Sequence, residues 1–415
     1  MSDALTIDDF GPLPVRRPAS VPELGELVRE AAAAGQGLYP VGGRTTLGLG
    51  LPPIKPGFAV DTRGLGRVVD YPARDMTVTV QAGMTVAALQ EILAKEGQRL
   101  PVDVTNPDRA TLGGAVAVNA SGPRRLGHGT LRDYLIGISF VTDDGVEVKA
   151  GGRVVKNVAG YDLMKLHVGA LGTLGVVTQL TLKVFPRPED QGFLAFGVNA
   201  AAVGPTLDRL HTSASRPVAV ELLNGIAAKS VASAAGVKLP EFDEWVILAG
   251  FEQKATTVSW QVATLKDELK AAPVRDLTEF RGPACDPIWA ALVGLQSGSR
   301  FTFKANVLPS RVATVAAEAA AVGGPVHAHA LSGIVFGHAT ADDFPAEKAA
   351  GALARVSPAA SAGSGNVVVT ACPPGWKKTL PVWGTVRAER DVMRTVKSTL
   401  DPRNIFNPGR LFGDL

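Results

Sequence analysis

Apolar and polar residues alternate over short stretches up to about Pro188, a pattern typical of half-buried strands separated by helices. Val78–Gln81 alternates with a period of two, and Thr85 then provides the N-cap of a helix that Gly97 ends. The apolar residues of that helix share one face: Val86, Leu89, Ile92 and Leu93. This stretch therefore predicts a strand, a turn and an amphipathic helix.

A hairpin and a long strand follow in the same region. Leu135–Val141 and Gly145–Val148 flank Asp143-Asp144-Gly145, a turn sequence that favours a β-hairpin. Val176–Val184 is rich in β-branched residues and predicts one long strand. Because strands and helices alternate irregularly and include a hairpin, we expect an α+β fold here rather than a parallel array.

The composition of the chain changes after this region. Lys183–Pro188 ends with two prolines, which mark a domain boundary. The alanine-rich chain from about 190 to 370 alternates predicted strands, such as Trp245–Phe251 and Arg300–Leu308, with predicted helices, such as Arg311–Val322. A final segment from residue 382 contains a predicted helix with these residues on its apolar face: Val386, Met393, Val396 and Leu400.

The composition excludes several classes of protein. The chain has 415 residues, 46% of them apolar, with 42 basic against 39 acidic side chains, so it fills large cores and offers no basic tract to nucleic acid. Its two cysteines, Cys285 and Cys372, are too few for a cysteine-ligated iron–sulfur cluster, a cysteine zinc site or a disulfide framework. No signal peptide or membrane helix is apparent. We therefore expect a cytoplasmic protein with no membrane span.

Three glycine-rich loops carry the candidate chemistry. The first, Tyr39–Gly50, contains Gly42-Gly43 followed by Arg44, Thr45 and Thr46, and it contains no Asp or Glu. Adjacent glycines present backbone N–H groups in a row, and this composition suits a pyrophosphate, although it matches neither the dinucleotide fingerprint nor the P-loop. Taken alone, the same pattern also fits an ordinary tight loop.

The second and third loops add space and backbone donors. Thr111–Arg125, preceded by Asp103, contains a run of small residues, Gly113–Gly122, that leaves room for a flat ring or for close packing of a helix on a sheet. The third combines Lys156–Leu163 with Gly169–Thr178, whose glycines lead into the long strand. The edge of that strand offers backbone hydrogen bonds to an adenine.

Together the three loops resemble the FAD-binding domain of the vanillyl-alcohol oxidase/p-cresol methylhydroxylase (PCMH) superfamily. Lys397–Leu411, which ends in Asn-Pro-Gly-Arg, resembles the closing motif of that family. The resemblance implies an α+β fold: a PCMH-type FAD-binding domain of two subdomains over residues 1–188, an α/β cap domain over 189–375 and a C-terminal segment, 376–415, that packs back on the FAD domain. It implies that FAD contacts these residues: Val41, Gly42, Gly43, Arg44, Thr45, Thr46, Asp103, Thr111, Gly113, Gly114, Ala117, Asn119, Ser121, Gly122, Gly175, Val177 and Asn407.

Within the superfamily the chain looks most like FAD-linked 2-hydroxy-acid dehydrogenases, and especially the E subunit of bacterial glycolate oxidase. Many relatives attach FAD to a His of the first loop, which this chain lacks, so we expect non-covalent FAD. Catalytic relatives carry the metal motif His-x-Gly-Asp-Gly-Asn. The nearest stretch here, His327–Gly333 with His338 beyond it, lacks the Asp and the Asn, so no metal is predicted and the E-type subunit is favoured.

Catalytic residues are harder to predict. Arg300 and Lys304 flank an apolar strand on one face, where they could hold a carboxylate or lie on a solvated surface. His327 and His329 point to the same face of a strand and are either site residues or polar strand residues. Arg124 is a candidate for binding a phosphate or a carboxylate, with a surface position as the alternative. The candidates for catalysis are Arg300, Lys304 and His329.

The resemblance implies an FAD-binding subunit of a glycolate oxidase-type complex. Such a subunit oxidises a small 2-hydroxy acid by hydride transfer to flavin N5 and passes electrons to a partner iron–sulfur subunit, beside a second flavoprotein subunit. The complex would be cytoplasmic or held at the inner membrane through partners. The alternatives are a stand-alone FAD-linked 2-hydroxy-acid dehydrogenase, a largely non-catalytic flavin-binding partner, and a sugar or alditol oxidase.

Overall fold

The protein is described from a computed structural model that covers residues 4–152, 161–241, 244–385 and 387–415. The chain forms two compact units, one of residues 1–121, 130–187 and 386–415 and the other of residues 122–129 and 188–385. The predicted boundary at 188 lies beside the division after residue 187. The division differs from the expected one in placing 122–129 and 376–385 in the second unit.

The first unit contains two main sheets. Its strands are β1 (Ala4–Ile7), β2 (Phe10–Arg16), β3 (Gly37–Val41), β4 (Gly57–Asp61), β5 (Val68–Asp70), β6 (Thr77–Gln81), β7 (Gln98–Arg99), β8 (Leu135–Val141), β9 (Glu147–Gly151), β10 (Val176–Lys183) and β11 (Phe185–Pro186). A four-stranded sheet has the order β1-β2-β4-β3, in which β4 runs parallel to both neighbours. A five-stranded antiparallel sheet has the order β5-β6-β10-β8-β9, and β7 pairs with β11.

Local sequence signals explain several of these elements. The strand and hairpin predictions are confirmed by β6, by the antiparallel pair β8 and β9, and by β10. The side chain of Thr85 accepts a hydrogen bond from Ala88 N at 3.2 Å and so caps its helix, as predicted. The helices of this unit are Val21–Ala33, Val86–Ala94, Leu112–Ala117, Leu131–Tyr134, Met164–His167 and Glu389–Leu400.

The C-terminal helix packs differently from the prediction. Met393, expected on an apolar packing face, is 52% exposed, whereas Lys397 is 2% exposed. Lys397 is buried because its ammonium group donates hydrogen bonds to the carbonyls of Thr173 and Phe406 and to the Asp401 carboxylate. Val386 lies outside the described residues. Val396 and Leu400 of the predicted apolar face are half-buried, so that face is confirmed in part, and the buried lysine adds a polar anchor.

The second unit is built on one eight-stranded antiparallel sheet. Its strands are β12 (Asp190–Val198), β13 (Ala219–Asn224), β14 (Trp245–Gln253), β15 (Val274–Arg281), β16 (Phe301–Asn306), β17 (Val326–His329), β18 (Ile334–Ala339) and β19 (Asn366–Ala371). The order is β15-β12-β14-β13-β17-β18-β16-β19. The predicted strands at 245–251 and 300–308 and the predicted helix at 311–322 are confirmed with slightly shifted bounds.

Helices cover the two faces of this sheet unequally. One face carries the largest apolar core, which includes Phe196, Phe301 and Val335. The other face has a smaller core that includes Val231 and Trp289 from two helices. The helices of the unit are Arg125–His128, Ala200–His211, Gly225–Ala235, Ala255–Leu269, Asp286–Gly294, Val312–Ala320 and Ala346–Ser361.

The α+β fold class is confirmed by this mixture of helices and antiparallel sheets. Among the described residues, no helix combines the length and the hydropathy needed to cross a membrane.

Candidate functional site

A pocket in the first unit brings together parts of all three predicted loops. The end of β3 with the loop after it forms one wall, and the helix Leu112–Ala117 with its flanking residues forms a second. The rest of the lining comes from Ile7, Leu171, Asn407 and Arg410. Ten of the residues predicted to contact a cofactor line it: Val41, Gly42, Gly43, Arg44, Thr45, Thr46, Thr111, Gly114, Ala117 and Asn407.

Two adjacent glycines allow the first two loops to touch. A Cβ on Gly42 would lie 2.1 Å from Thr111 Oγ1, and a Cβ on Gly43 would lie 1.7 Å from the Arg109 carbonyl oxygen. Both distances are far below van der Waals contact, so only glycine fits at either position. Arg44 follows with a φ of 60°, a left-handed backbone conformation that is uncommon for residues other than glycine.

The lining of this pocket suits an anionic, dinucleotide-like group. It contains Arg44, the threonines Thr45, Thr46 and Thr111, and two adjacent glycines, and no Asp or Glu of the described chain lines it. Backbone N–H groups, hydroxyls and a guanidinium are the donors that diphosphates accept from proteins. The residues present therefore fit the diphosphate of FAD.

The other predicted cofactor residues lie outside this lining: Asp103, Gly113, Asn119, Ser121, Gly122, Gly175 and Val177. Two of them have packing roles. A Cβ on Gly113 would lie 2.9 Å from Ala82 Cβ, and one on Gly175, where φ is 143°, would lie 2.8 Å from the Val141 carbonyl oxygen. These two glycines let chain segments approach closely, which gives them a structural reason independent of any ligand.

Asn119 differs from the others of that group. It adopts a left-handed φ of 49°, and its side-chain Oδ1 is buried without a hydrogen-bond partner. A buried acceptor without a donor is costly, and a ligand donor would satisfy it. Gly122 belongs to the second unit, and Lys156–Gly160 of the third predicted loop lie outside the described residues.

Seven residues of the pocket lining were not selected from the sequence: Ile7, Pro40, Leu47, Leu49, Val118, Leu171 and Arg410. Two of them, Leu171 and Arg410, lie in segments that the sequence had marked. Leu171 lies in the third predicted loop with a positive φ of 53°, and Arg410 ends the Asn-Pro-Gly-Arg motif. The motif was recognised, but only Asn407 was selected from it. The Asn407 amide donates to the Leu171 carbonyl at 2.7 Å, which ties the C-terminal segment to the third loop.

A second candidate site lies on the sheet of the second unit, on the face opposite the largest core. Antiparallel partners point to the same face, and the register aligns Glu221 with His329 and Thr302 with His338. Phe336 faces His327 on one neighbouring strand and Lys304 on the other. Polar side chains from four adjacent strands therefore form one row. We call this set the polar belt: Glu221, Thr302, Lys304, His327, His329 and His338.

His329 is paired with a buried carboxylate. Its Nδ1 lies 2.9 Å from both Glu221 oxygens, and these side chains are 2% and 0% exposed. Its Nε2 lies 3.3 Å from the Gln296 side-chain nitrogen, which is a donor. The network therefore assigns the proton to Nδ1 and leaves Nε2 as an acceptor. A carboxylate-oriented imidazole of this kind can take a proton at Nε2.

His327 and His338 form a neutral chain. His338 Nε2 lies 3.0 Å from His327 Nδ1, and His338 Nδ1 lies 3.0 Å from Thr302 Oγ1. Burial and the neighbouring histidines hold the pKa of His327 well below its ordinary value, and burial lowers the pKa of His338 to about 4. His327 Nε2 is buried without a hydrogen-bond partner, so this ring nitrogen of the belt is available to a ligand.

Lys304 supplies a positive charge to the belt. Burial, assisted by the positive Arg125, lowers the pKa of Lys304 to about 8. Its ammonium makes no ion pair with any described carboxylate. A partly buried cation without a counter-ion is suited to an anionic ligand.

Arg300 is not part of the belt. It precedes β16, is exposed, and its guanidinium lies 5.5 Å from the Trp376 ring centre, with Nε donating to the Phe344 carbonyl. Strand parity suggested that Arg300 and Lys304 share a face, but the strand begins only at Phe301, so the parity argument does not extend to residue 300. Glu221 and Gln296 were missed because nothing near them in sequence marks them.

The predicted anion ligand Arg124 has protein partners in the second unit. Its Nε lies 2.8 Å from Glu252, and its guanidinium stacks 3.8 Å from the Trp289 ring centre. His128 Nε2 lies 3.4 Å from the same carboxylate. The described residues contain no group of three or more His, Cys, Asp or Glu side chains arranged to hold a metal, and two of the belt histidines are bonded to each other instead.

Comparisons with known proteins match both units. A family profile described as an FAD binding domain matches residues 12–151, and one described as FAD linked oxidases, C-terminal domain, matches residues 187–344 and 386–411. A solved structure of alkyldihydroxyacetonephosphate synthase has the same fold, with a TM-score of 0.71 and 19% identity over 96% of this chain and 77% of that one.

Curated relatives include glycolate oxidase subunits and a 2-hydroxy-acid dehydrogenase. The chain is 27% identical over 417 residues to glycolate oxidase subunit GlcD of Bacillus subtilis (strain 168), covering 90% of this chain and 83% of that protein. It is 28% identical to the D-2-hydroxyglutarate dehydrogenase of Xanthomonas citri pv. viticola, covering 97% and 89%. Over 133 residues it is 39% identical to glycolate oxidase subunit GlcE of Escherichia coli (strain K12), covering 32% and 38%.

Proposed function

Because this chain belongs to the PCMH-type family of FAD-linked oxidases, we propose that it oxidises a small 2-hydroxy acid as the FAD subunit of a glycolate oxidase-type complex. Relatives named glycolate oxidase subunits and a D-2-hydroxyglutarate dehydrogenase support this substrate class. The observation that carries the proposal is the polar belt, which places a cation and a carboxylate-oriented imidazole on one face of one sheet.

The belt supplies the two functions that a 2-hydroxy acid requires. The Lys304 ammonium would hold the substrate carboxylate, and the Nε2 atom of His329 would accept the hydroxyl proton. The Glu221 carboxylate, 2.9 Å from Nδ1, would stabilise the imidazolium that forms. When bound, FAD supplies the acceptor for the α-hydrogen, which leaves as hydride to flavin N5.

FAD would be held non-covalently by the pocket of the first unit. Gly42, Gly43 and Thr111 line this pocket and would face the diphosphate, and the stretch from Tyr39 to Gly50 contains no His to form a covalent link. Acid precipitation of the purified protein should release all flavin into the supernatant. Flavin fluorescence that remains with the denatured chain would contradict non-covalent binding.

Electron transfer to a partner iron–sulfur subunit completes the proposal. The chain has only two cysteines, Cys285 and Cys372, and therefore cannot ligate such a cluster by itself. Cys285 is buried, and burial raises its pKa to about 12, so it is not a reactive thiolate. Similarity to two different glycolate oxidase subunits supports assembly with a second flavoprotein as well.

The test uses the protein purified alone and with its co-expressed neighbours. Bound flavin and dye reduction are measured with glycolate, D-lactate and D-2-hydroxyglutarate as substrates. Lys304→Met should raise KM by about 10- to 100-fold, the effect of losing one charge-assisted hydrogen bond, without changing flavin content. Lys270→Met, at an exposed lysine of the same unit, is the control. Equal KM values in both variants would refute the assignment of Lys304.

A largely non-catalytic flavin-binding partner is the second candidate. It is favoured by the 39% identity to the E. coli GlcE subunit and by the histidines of the belt, which are bonded to protein groups. In that case the chain binds FAD but shows no substrate-dependent flavin reduction alone. Glu221→Gln would then leave the activity of the complex unchanged, whereas it should lower that activity about 100-fold if His329 is the base.

A further inference from the structure

One arginine of the C-terminal segment, Arg410, donates hydrogen bonds to three carbonyl groups of the first loop. The Arg410 guanidinium, 7% exposed, donates to the carbonyls of Leu51 at 2.6 Å and Leu49 at 2.5 Å, and also to the carbonyl of Leu47. It pairs with the Asp8 carboxylate at 2.5 Å. The Arg410 carbonyl in turn accepts from Leu51 N at 2.9 Å.

These contacts determine which way the carbonyl oxygens of the loop point. The carbonyls of residues 47, 49 and 51 are directed to the guanidinium, so their negative ends are neutralised at Arg410. Carbonyl oxygens free to turn into the pocket would repel a diphosphate. Arg410 also lines the pocket, so its cation lies at the edge of the same space.

Ordering this loop is costly because it is rich in glycine. Between residues 42 and 51 it contains four glycines, and glycine loses more conformational freedom on ordering than any other residue. A Cβ on Gly48 would meet nothing within 4 Å, so this position of the loop has room for a side chain. Hydrogen bonds from one rigid group to three carbonyls order it at low entropic cost.

The segment that carries Arg410 is itself fixed. Lys397 donates to the Thr173 and Phe406 carbonyls at 2.9 and 3.0 Å, and it pairs with Asp401. Asp401 accepts from the backbone N–H groups of Ile405 and Phe406. Hydrogen bonds from the Lys397 side chain and to the Asp401 carboxylate therefore fix the backbone that precedes Arg410.

We propose that Arg410 is a positioning residue for FAD, which holds loop 42–51 in its diphosphate-binding shape before the cofactor arrives. The proposal rests on the assignment of the pocket to FAD and is independent of the substrate proposed above. A loop ordered in advance spares the ligand the cost of ordering it, so Arg410 should act on affinity.

The experiment compares apoprotein of wild type, Arg410→Met, Arg410→Lys and the control Arg394→Met. Arg394 lies in the same C-terminal segment and pairs with exposed Asp414. FAD affinity is measured by flavin fluorescence, and amide hydrogen exchange is followed by mass spectrometry without FAD. Arg410→Met should weaken FAD at least 30-fold and raise exchange in residues 42–51 at least 10-fold, with β6, β8 and β10 unchanged.

Arg410→Lys keeps the charge but cannot reach three carbonyls, so it should show intermediate loop exchange and intermediate affinity. Arg394→Met should stay within twofold of wild type. The proposal is overturned if Arg410→Met binds FAD within threefold of wild type. It is also overturned if exchange rises throughout the first unit in both Arg410 variants, since that would make Arg410 a residue of global stability.

Discussion

The two candidate sites of this protein differ in what forms them: backbone in one and side chains in the other. The pocket of the first unit is made mostly of backbone and small residues, and close approach of Gly43 to Arg109 shapes it. The polar belt of the second unit is made of large side chains on regular strands, and Glu221 and His329 meet across 108 positions of the chain. A backbone site is sensitive to any added atom, whereas a side-chain site is sensitive to the loss or the titration of one group.

The largest expected effect concerns the backbone site. Gly43→Val should abolish FAD binding, because its Cβ alone would lie 1.7 Å from the Arg109 carbonyl oxygen and would force the first two loops apart. Gly48→Ala in the same loop has open space around it and should bind FAD normally. Flavin content of the purified variants measures both. Full flavin occupancy in Gly43→Val would show that the pocket does not depend on this contact.

The second prediction tests whether the first unit also depends on one buried side chain. Lys397→Met leaves the Asp401 carboxylate buried without its cation and should lower the free energy of unfolding by about 3–5 kcal/mol. Chemical denaturation of the apoprotein measures this. Lys397→Met combined with Asp401→Asn should recover part of the loss. A single variant within about 1 kcal/mol of wild type would mean that the pair contributes little.

The third prediction uses titration of the side-chain site. Because burial and Arg125 lower the pKa of Lys304 to about 8, the ammonium loses its proton as the pH rises from 7 to 9. The attraction to a substrate carboxylate is lost with it, so kcat/KM should fall about tenfold over this interval. In Lys304→Met, kcat/KM should be low and should not change over the same pH interval. An unchanged alkaline limb in that variant would assign the titration to another group.

The smallest expected effect concerns acid stability of the first unit. Burial raises the pKa of Asp61, but hydrogen bonds from Arg63 and Arg17 outweigh it and lower the pKa to about 2. A carboxyl whose pKa is depressed in the folded state stabilises the protein above its unfolded value and loses that contribution as the pH falls. Between pH 4 and 2 the loss should be about 1–2 kcal/mol. Urea denaturation at several pH values measures the free energy of unfolding of wild type and of Asp61→Asn. The variant should lack this loss of stability between pH 4 and 2.

Local patterns were sufficient for much of the first unit. The Thr85 cap, the hairpin of β8 and β9, and the Gly42-Gly43 turn each depend on residues adjacent in sequence, and each is present as predicted. The α+β class follows from the same patterns. Gly113 and Gly175 were predicted to contact the cofactor, and that stays a prediction. Their close approaches to Ala82 and Val141 give each a packing role that the sequence did not indicate.

The sequence by itself determined the elements, the glycine-rich pocket and the absence of cysteine ligands, because these depend on neighbouring residues or on composition. Only the tertiary structure decided that Lys397 rather than Met393 is buried, that Arg410 holds the first loop, and that Glu221 meets His329. Each of these contacts is a side-chain interaction over many residues. Sheet register and chain reversal set such contacts, and periodicity along the chain carries no information about either.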